Sequence, residues 1–367
     1  MSFYNDLSEI KKLDFPRFFA AQSKAEITKI LQKSKLTAWD YLALLSPVAE
    51  DFLEEMAQTA HQLTVQNFGK TILLYTPMYL SNYCTNQCLY CGFSTKNILN
   101  RKQLSLAEVA EEAKGIAAMG LKHILILTGD AKGIASIEYI KSCVHMLRSY
   151  FPSISIEIYA LEEEEYRELI ITGVDSLTIY QETYNEDIYE QIHLKGPKKD
   201  YRYRLDAPER ACRAGIRFVN IGALLGLDDW RKEAFLTGLH ANYLQNNYPE
   251  VEISISLPRL RPHLGSFQPK DIVTDKNMVQ FMVALRLFMP RAGITISTRE
   301  RAEFRNNLLP LGVTKMSAAS STVVGGHTNG SKDSGQFEIS DERNVDGMWA
   351  AISALGYQPV FKDWEPI

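Results

Sequence analysis

Three of the five cysteines in this 367-residue chain fall within eight positions, in the stretch SNYCTNQCLYCGFS at 81–94. Cys84, Cys88 and Cys91 follow the spacing C-x3-C-x2-C. A structural zinc site asks for four ligands, usually as two pairs, and a redox dithiol needs only two. Three closely spaced thiolates best suit an iron–sulfur cubane, whose irons take cysteine ligands. With three cysteines, one iron keeps an open position that another molecule must fill. Cys143 shares a helical face with Ile140, Val144 and Leu147 and reads as a small core residue, as does Cys212 in ERACRAG. His61 belongs to an N-terminal helix, and nothing in the sequence places it near the loop.

A loop of this kind needs a scaffold that holds it rigid. The first 70 residues read as helices, among them SKAEITKILQKS, TAWDYLALLSP and a longer amphipathic one over 50–70. From Thr71 the pattern changes to alternation of strand and helix. Eight strand-like runs follow: TILLYTPMY, HILILTG, SISIEIYAL, SLTIYQE, FVNIGALL, VEISISLPR, GITISTRE and TKMSAAS. Gly120, Gly173, Gly215, Gly293, Gly312 and Gly356 read as C-caps of the helices between and after them. Eight strand–helix units predict an α/β fold, a (β/α)8 TIM-type barrel, with an open doubly wound sheet as the runner-up. The expected division is an N-terminal helical extension over 1–70, a barrel over 71–320, and a lid-like loop, final helix and short C-terminal tail over 321–367. The cysteine loop follows the first strand directly. In a barrel that is the C-terminal face, where active sites form.

The strands carry a second message. Ile154, Ile156 and Ile158 alternate with polar residues, as do Leu177 and Ile179, Val219 and Ile221, Ile253 and Ile255, and Ile294 and Ile296. The apolar parity should face the helices and the polar parity the barrel interior, giving a polar, partly open lumen suited to polar ligands. Glu157 points inward by this argument and, as a buried carboxylate, should meet a donor. Ser297 and Arg299 share the inward parity, and Arg299 can grip a carboxylate through two parallel hydrogen bonds. Ser317 on the last strand is a third candidate for holding substrate. The competing reading of Arg299 is a salt bridge in the lumen to Glu300 or Glu182.

The cysteine spacing, with Tyr90 before the last cysteine, resembles the radical S-adenosylmethionine (SAM) superfamily. That resemblance implies a [4Fe–4S] cluster on Cys84, Cys88 and Cys91. Its open iron chelates SAM and, on taking one electron, releases a 5′-deoxyadenosyl radical. LTGD, ending in Gly129 and Asp130, resembles the family's Gly-Gly-Glu-like motif, which contacts the SAM amino group. Asp130 is one methylene shorter than the usual Glu. NIGALLGL over 220–227 resembles the motif near the adenine, where Gly222 would allow close approach of backbone to ligand.

The chain as a whole resembles one branch. YQETYN, KKDYRYRLDAPERACRAGI, IGALLGLDDWR, SLPRLRPHLG, STRE and the closing GYQPVFKDWEPI look like the 2-iminoacetate synthases, the tyrosine lyases of thiamine thiazole biosynthesis. The resemblance implies cleavage of the Cα–Cβ bond of L-tyrosine to 2-iminoacetate and p-cresol. It makes Glu182 and Arg299 catalytic candidates, and Tyr180, Ser297, Arg299 and Ser317 candidates for binding substrate. Tyr180 and Glu182 are also candidates for contact with the substrate amine or SAM, and Arg259 and Arg261 for reaching the site or for a structural role. The implied partners are a thiazole synthase and a reduced flavodoxin- or ferredoxin-type electron donor. The alternatives are a tryptophan lyase, a tyrosine-cleaving hydrogenase maturase, and a non-catalytic iron–sulfur scaffold or sensor. The maturase holds a second cluster in a C-terminal extension, and no cysteine follows Cys212 here.

Composition narrows the classes further. Hydrophobic residues are 46% and charged residues 23% of the chain, enough for a large core. The net charge of −4 argues against a nucleic-acid partner held by bulk charge. No apolar run approaches the roughly 20 residues of a membrane span, and the N-terminus has no signal-type apolar core, so a cytoplasmic protein is expected. HLKGPKKDYRYR mixes basic and aromatic residues but is short, and reads as a solvated or site-covering segment. VVGGHTNG over 323–330 lacks the Gly-Lys-Ser/Thr of a phosphate loop. It is either a mobile cover over the barrel mouth or disordered, and KDSGQFEISDER continues that lid-like region.

Overall fold

The computed structural model describes residues 2–328 and 335–362. Part of the lid-like stretch and the last five residues of the C-terminal match lie outside the described residues. Eight parallel strands succeed one another in chain order: β1 (Thr71–Ser81), β2 (His123–Thr128), β3 (Ser153–Glu157), β4 (Ser176–Glu182), β5 (Phe218–Ala223), β6 (Glu252–Ser256), β7 (Gly293–Ile296) and β8 (Lys315–Ser317). β1 pairs with β2 on one side and with β8 on the other, so the sheet closes on itself. An open doubly wound sheet would leave two edges, so the barrel expectation holds. A ninth short strand, β9 (Gln358–Val360), adds to the N-terminal end of β1 through Thr71–Leu73. Three residues around a proline carry too little pattern to announce a strand, and it was not expected.

Strand parity sorts the side chains. Ile154, Ile156, Leu177, Ile179, Val219, Ile221, Ile253, Ile255, Ile294 and Ile296 are all buried in the main core, at most 3% exposed. The other parity meets inside the barrel, where its polar groups pair with one another as buried polar groups must. Asn220 donates from Nδ2 to Ser256 Oγ at 2.8 Å, and Ser254 Oγ lies 3.3 Å from Thr295 Oγ1. Lower down, His123 Nε2 lies 2.7 Å from Ser155 Oγ and 3.2 Å from Lys315 Nζ.

Helix starts follow the caps. Ser105 with Glu108 and Thr274 with Asn277 form capping boxes on the helices Leu106–Ala118 and Asp275–Phe288. Of the six glycines read as helix ends, five follow helices or helical turns with positive φ. Gly293 does not. It opens β7, where a Cβ would lie 2.9 Å from Ser254 Oγ, so close strand packing is what requires it.

The first 70 residues form helices that cover one flank of the barrel. The helix Leu53–Phe68 packs on Asp275–Phe288. Tyr41 stacks on Phe288 with ring centroids 4.7 Å apart and donates to the Ala234 carbonyl at 2.8 Å. Among the described residues no helix is long and apolar enough to cross a membrane.

Candidate functional site

β1 runs directly into the cysteine loop at the C-terminal mouth, and neighbouring segments pin the loop by its backbone. Thr85 N donates to Asp130 O (2.8 Å), Gln87 N to Lys195 O (2.9 Å), Leu89 N to Ile192 O (3.0 Å) and Gly92 N to Gln336 O (3.1 Å). Arg101 donates to the carbonyls of Asn82, Phe93 and Ser94 at 2.6–2.9 Å. Cys84, Cys88 and Cys91 carry no disulfide, and Cys88 is buried. Burial pushes the Cys88 and Cys91 thiols up, the neighbouring thiols add to this, and Lys198 opposes it. Among the described residues no three His, Cys, Asp or Glu side chains are gathered tightly enough for a single metal ion. The three thiols nevertheless feel one another's charge, Cys84 and Cys91 acting on Cys88 and Cys84 on Cys91. Buried thiols of this kind ionise when a strong cationic centre takes them as ligands, so the donor set fits an iron–sulfur cluster.

Tyr90 backs this loop. Its hydroxyl lies 2.7 Å from His193 Nε2, and His193 Nδ1 lies 2.8 Å from the Tyr189 carbonyl. A carbonyl only accepts, so Nδ1 carries the proton and Nε2 accepts from Tyr90. Burial pushes His193 down to about 3, which keeps the ring neutral. Cys88 and Tyr90 share a small apolar cluster with Ile192, Leu224 and Leu227.

The glycines and the acid read as SAM contacts have structural partners of their own. A Cβ on Gly129 would lie 2.2 Å from Tyr83 O and 3.2 Å from Cys84 Cβ, so only glycine lets β2 end against the cysteine loop. Asp130 accepts from Asn86 Nδ2 at 2.7 Å, which ties the same strand end to the loop. A Cβ on Gly222 would lie 2.5 Å from Ser256 O and 3.2 Å from the Tyr180 ring.

Glu157, Tyr180, Ser297, Arg299 and Ser317 come together around one small cavity, with Tyr75, Tyr79 and Phe337. The polar lumen is therefore present, and it is narrow, with about 50 Å³ free. Glu157 has no hydrogen-bonding protein partner among the described residues, so the expected donor is not found among them. Burial raises it to about 7, with Arg299 opposing and Glu182 reinforcing the rise. Arg299 makes no ion pair among the described residues. The competing salt-bridge reading fails because Glu300 is paired with Arg259 and Glu182 with Lys198. The guanidinium instead lies over the Phe337 ring at 3.4 Å. Ser297 Oγ accepts weakly from Arg299 N (3.4 Å), and Ser317 Oγ accepts from Thr298 N (3.0 Å), which fixes the turn that carries Arg299. Arg259 is spent on Glu300, Asp275 and the Val273 carbonyl, a structural role.

Glu182 sits apart, on the cysteine-loop side of the mouth. Its Oε1 accepts from Lys198 Nζ at 2.5 Å, with Arg204 Nη2 3.9 Å away. Burial works against its charge, but the two cations outweigh burial and hold the carboxyl below its ordinary value. Its backbone is left-handed, φ 71°, at a register break in β4, a costly setting for a non-glycine residue. Glu233 holds the turn that follows, accepting from Thr183 Oγ1 (2.7 Å) and Tyr184 N (3.0 Å).

Sequence reasoning missed His193, Lys198, Gln336 and Phe337. The first two lie in the segment read as site-covering, and they do cover it. Gln336 accepts from the Tyr79 hydroxyl at 2.7 Å and reaches Cys91 Sγ at 3.7 Å. No short-range pattern marks a glutamine that bridges partners some 250 positions upstream.

The comparisons with known proteins agree with this geometry. A Radical SAM superfamily model matches residues 78–237, and a Biotin and Thiamin Synthesis associated domain matches residues 256–358. The chain is 41% identical to the 2-iminoacetate synthase of Escherichia coli (strain K12), over 94% of this chain and 92% of the relative. The chain belongs to the 2-iminoacetate synthase family. The Salmonella typhimurium 2-iminoacetate synthase is 40% identical over the same shares. Among solved structures, HydG, a maturase of the [FeFe]-hydrogenase, aligns with a TM-score of 0.87 at 32% identity, covering 98% of this chain and 79% of that one. Methylornithine synthase shares the fold, with a TM-score of 0.73 at 20% identity. The barrel and the cysteine loop of this 2-iminoacetate synthase family member are thus those of the radical SAM enzymes.

Proposed function

We infer that this chain is a carbon–carbon lyase of the radical SAM type, which splits the Cα–Cβ bond of L-tyrosine into 2-iminoacetate and p-cresol for thiamine thiazole synthesis. The observation that carries the reading is Arg299, a cation with no carboxylate partner among the described residues, facing a polar cavity beside a three-cysteine loop. A [4Fe–4S] cluster on Cys84, Cys88 and Cys91, with SAM on its open iron, supplies a 5′-deoxyadenosyl radical when bound. The chain's own residues then have three tasks: to hold an amino acid, to exclude water, and to aim its amine.

Arg299 suits the substrate carboxylate, since its fork matches two oxygens at once. Ser297 offers a hydroxyl on the same parity, and Ser317 steadies the turn that carries both. Glu157 is the natural acceptor for an ammonium group, whether of substrate or of SAM. Its ionisation near neutral pH lets it take up that positive charge or the proton itself. Tyr90 positions the cysteine loop. Gly129 and Gly222 let backbone segments pack closely at the mouth, Asp130 ties the end of β2 to the cysteine loop, and contact of the three with SAM rests on the family resemblance. Glu182, locked to Lys198, supports the cluster side of the mouth, and its substrate contact would require that pair to rearrange. The imine product would pass to a thiazole synthase, and a reduced flavodoxin- or ferredoxin-type protein would supply the electron.

The test is an anaerobic preparation with reconstituted cluster, SAM, L-tyrosine and a small chemical reductant. 5′-Deoxyadenosine and p-cresol are read by liquid chromatography. Both should form, and a Cys88→Ala variant should form neither. Deoxyadenosine without p-cresol would retire the tyrosine reading, with L-tryptophan the next substrate to try. A loaded cluster that yields no deoxyadenosine would retire the enzyme reading.

A further inference from the structure

The chain carries 40 Lys and Arg against 44 Asp and Glu, yet its charges are unevenly placed. Three segments converge on the cysteine loop. They are the loop itself and its continuation, 84–103, the stretch 193–199, and the stretch 259–270. Each contains three Lys or Arg and not one Asp or Glu. Their convergence is explicit in the contacts. Gln87 N donates to Lys195 O, Lys198 N donates to Asn86 Oδ1, and Asn97 Nδ2 donates to Leu264 O at 2.5 Å. Phe267 and Leu260 pack against the cluster that holds Cys88 and Tyr90. Asp130, Asp200 and Asp271 border these segments, yet the segments themselves bring nine Lys and Arg to the three-cysteine loop of a protein that is acidic overall.

Several of these cations have internal work. Lys198 pairs with Glu182, Arg259 with Glu300, Lys102 with Glu108 and Lys199 with Glu190, while Arg101 binds backbone carbonyls. Lys96, Lys195 and Lys270 are exposed and have no ion pair among the described residues. Between them the same three segments expose large apolar side chains: Ile98 is 99% exposed, and Leu194 and Leu264 are each 39% exposed. An exposed isoleucine just after the three-cysteine loop, on segments that also carry exposed lysines without ion pairs among the described residues, is the composition of a transient docking site. Apolar contact seats the partner, and long-range charge steers its approach.

We propose that this face, centred on Ile98 with Lys96, Lys195 and Lys270 around it, docks a small acidic one-electron carrier protein. The proposal rests on the functional reading above, which requires an electron at Cys84, Cys88 and Cys91, and it names the surface by which the electron arrives. The carrier is oxidised by one electron and the cluster is reduced by one, with no atom transferred. The partner's chemistry follows from the face itself. It must bear carboxylates around its redox centre, and its association must weaken with salt, because charges beyond a Debye length of about 8 Å are screened at physiological ionic strength.

The test uses the full chain with its cluster loaded and an acidic flavodoxin as probe. Binding is measured over a range of salt for the unaltered protein and for a Lys96→Glu, Lys195→Glu, Lys270→Glu variant. Ile98→Asp serves as a second, single-site variant. Lys29→Glu, Lys35→Glu, Lys122→Glu, on remote surfaces, is the charge control. Steering predicts that the first triple variant binds about tenfold or more weakly at low salt and that its salt dependence flattens. Ile98→Asp should weaken binding at all salts, and the control should bind as the parent does. Reduction by photoreduced deazaflavin, which needs no docking, should give undiminished 5′-deoxyadenosine in every variant. Equal binding by the first triple variant, or equal loss in the control, would overturn the proposal. So would lysine-dependent capture of a DNA oligonucleotide by a face that ignores flavodoxin. If the unaltered protein forms no deoxyadenosine with deazaflavin, the functional reading fails instead, and the binding result stands on its own.

Discussion

Arg299 and Glu157 face one cavity with opposite needs, and each yields a prediction. Arg299→Lys keeps the charge but loses the planar fork, so KM for L-tyrosine should rise about tenfold or more while iron content stays constant. Arg299→Ala should lose about 1.5–3 kcal/mol of substrate binding, the worth of a charged hydrogen bond. Glu157 titrates near 7 because burial opposes its charge. Its folded pKa lies above the unfolded 4.5, so its contribution to stability is complete below 4.5 and falls as pH rises through 7. Ligand binding runs the other way, since only the ionised form attracts an ammonium group. Affinity for the amino acid should rise with pH across that window, and Glu157→Gln should erase this limb in a titration of KM against pH. The inward direction of Glu157 was legible from strand parity, whereas β7 ends at Ile296 and Arg299 reaches the cavity from the turn beyond it. What they meet was not legible, because the Phe337 ring over Arg299 and the lack of a donor to Glu157 among the described residues are facts of the folded mouth.

At the scale of elements, the cysteine loop depends on the strand ends beside it. Gly129→Ala places a methyl group against Tyr83 O at 2.2 Å, inside contact distance. The variant should keep its far-ultraviolet circular dichroism yet bind markedly less iron, because the strain falls on the loop rather than on the barrel. Glu182 and Lys198 join the end of β4 to the segment that covers the loop. Breaking one partner of a buried pair costs about 3–5 kcal/mol, so Lys198→Met should lower the thermal midpoint by several degrees. The Glu182 carboxyl is held below its unfolded 4.5, so its stabilisation is present above that value and is lost as pH falls through the folded value. The same elements mark how far pattern reading reaches. Eight strands, their order and the polar interior follow from alternation that is local in sequence. Gly293 misled because a glycine before a strand and a glycine after a helix look alike in one dimension. β9, and the covering role of Gln336 and Phe337, depend on contacts made across most of the chain, which no local window samples.

For the whole molecule, closure is thin at β7 and β8: three residues of β8 pair with β1, two with β7, and three of β7 with β6. By contrast β4 and β5 share six paired positions. Amides of β7 and β8 should therefore exchange with deuterium before those of β4 and β5, as read by mass spectrometry of peptides over 293–317 and 176–223. Such a seam lies beside Arg299, so the wall proposed to hold the substrate carboxylate shares with the β3–β4 seam the fewest paired positions of the barrel.

The neighbouring residues Gln336 and Phe337 touch both halves of the mouth, one at Tyr79 and Cys91, the other at Arg299. A single short segment is thus shared by two sites, and whatever displaces it for one occupant has already met part of the ordering cost for the other. Occupancy of the two sites is then linked, and linkage is reciprocal: SAM should tighten L-tyrosine by the same factor by which L-tyrosine tightens SAM.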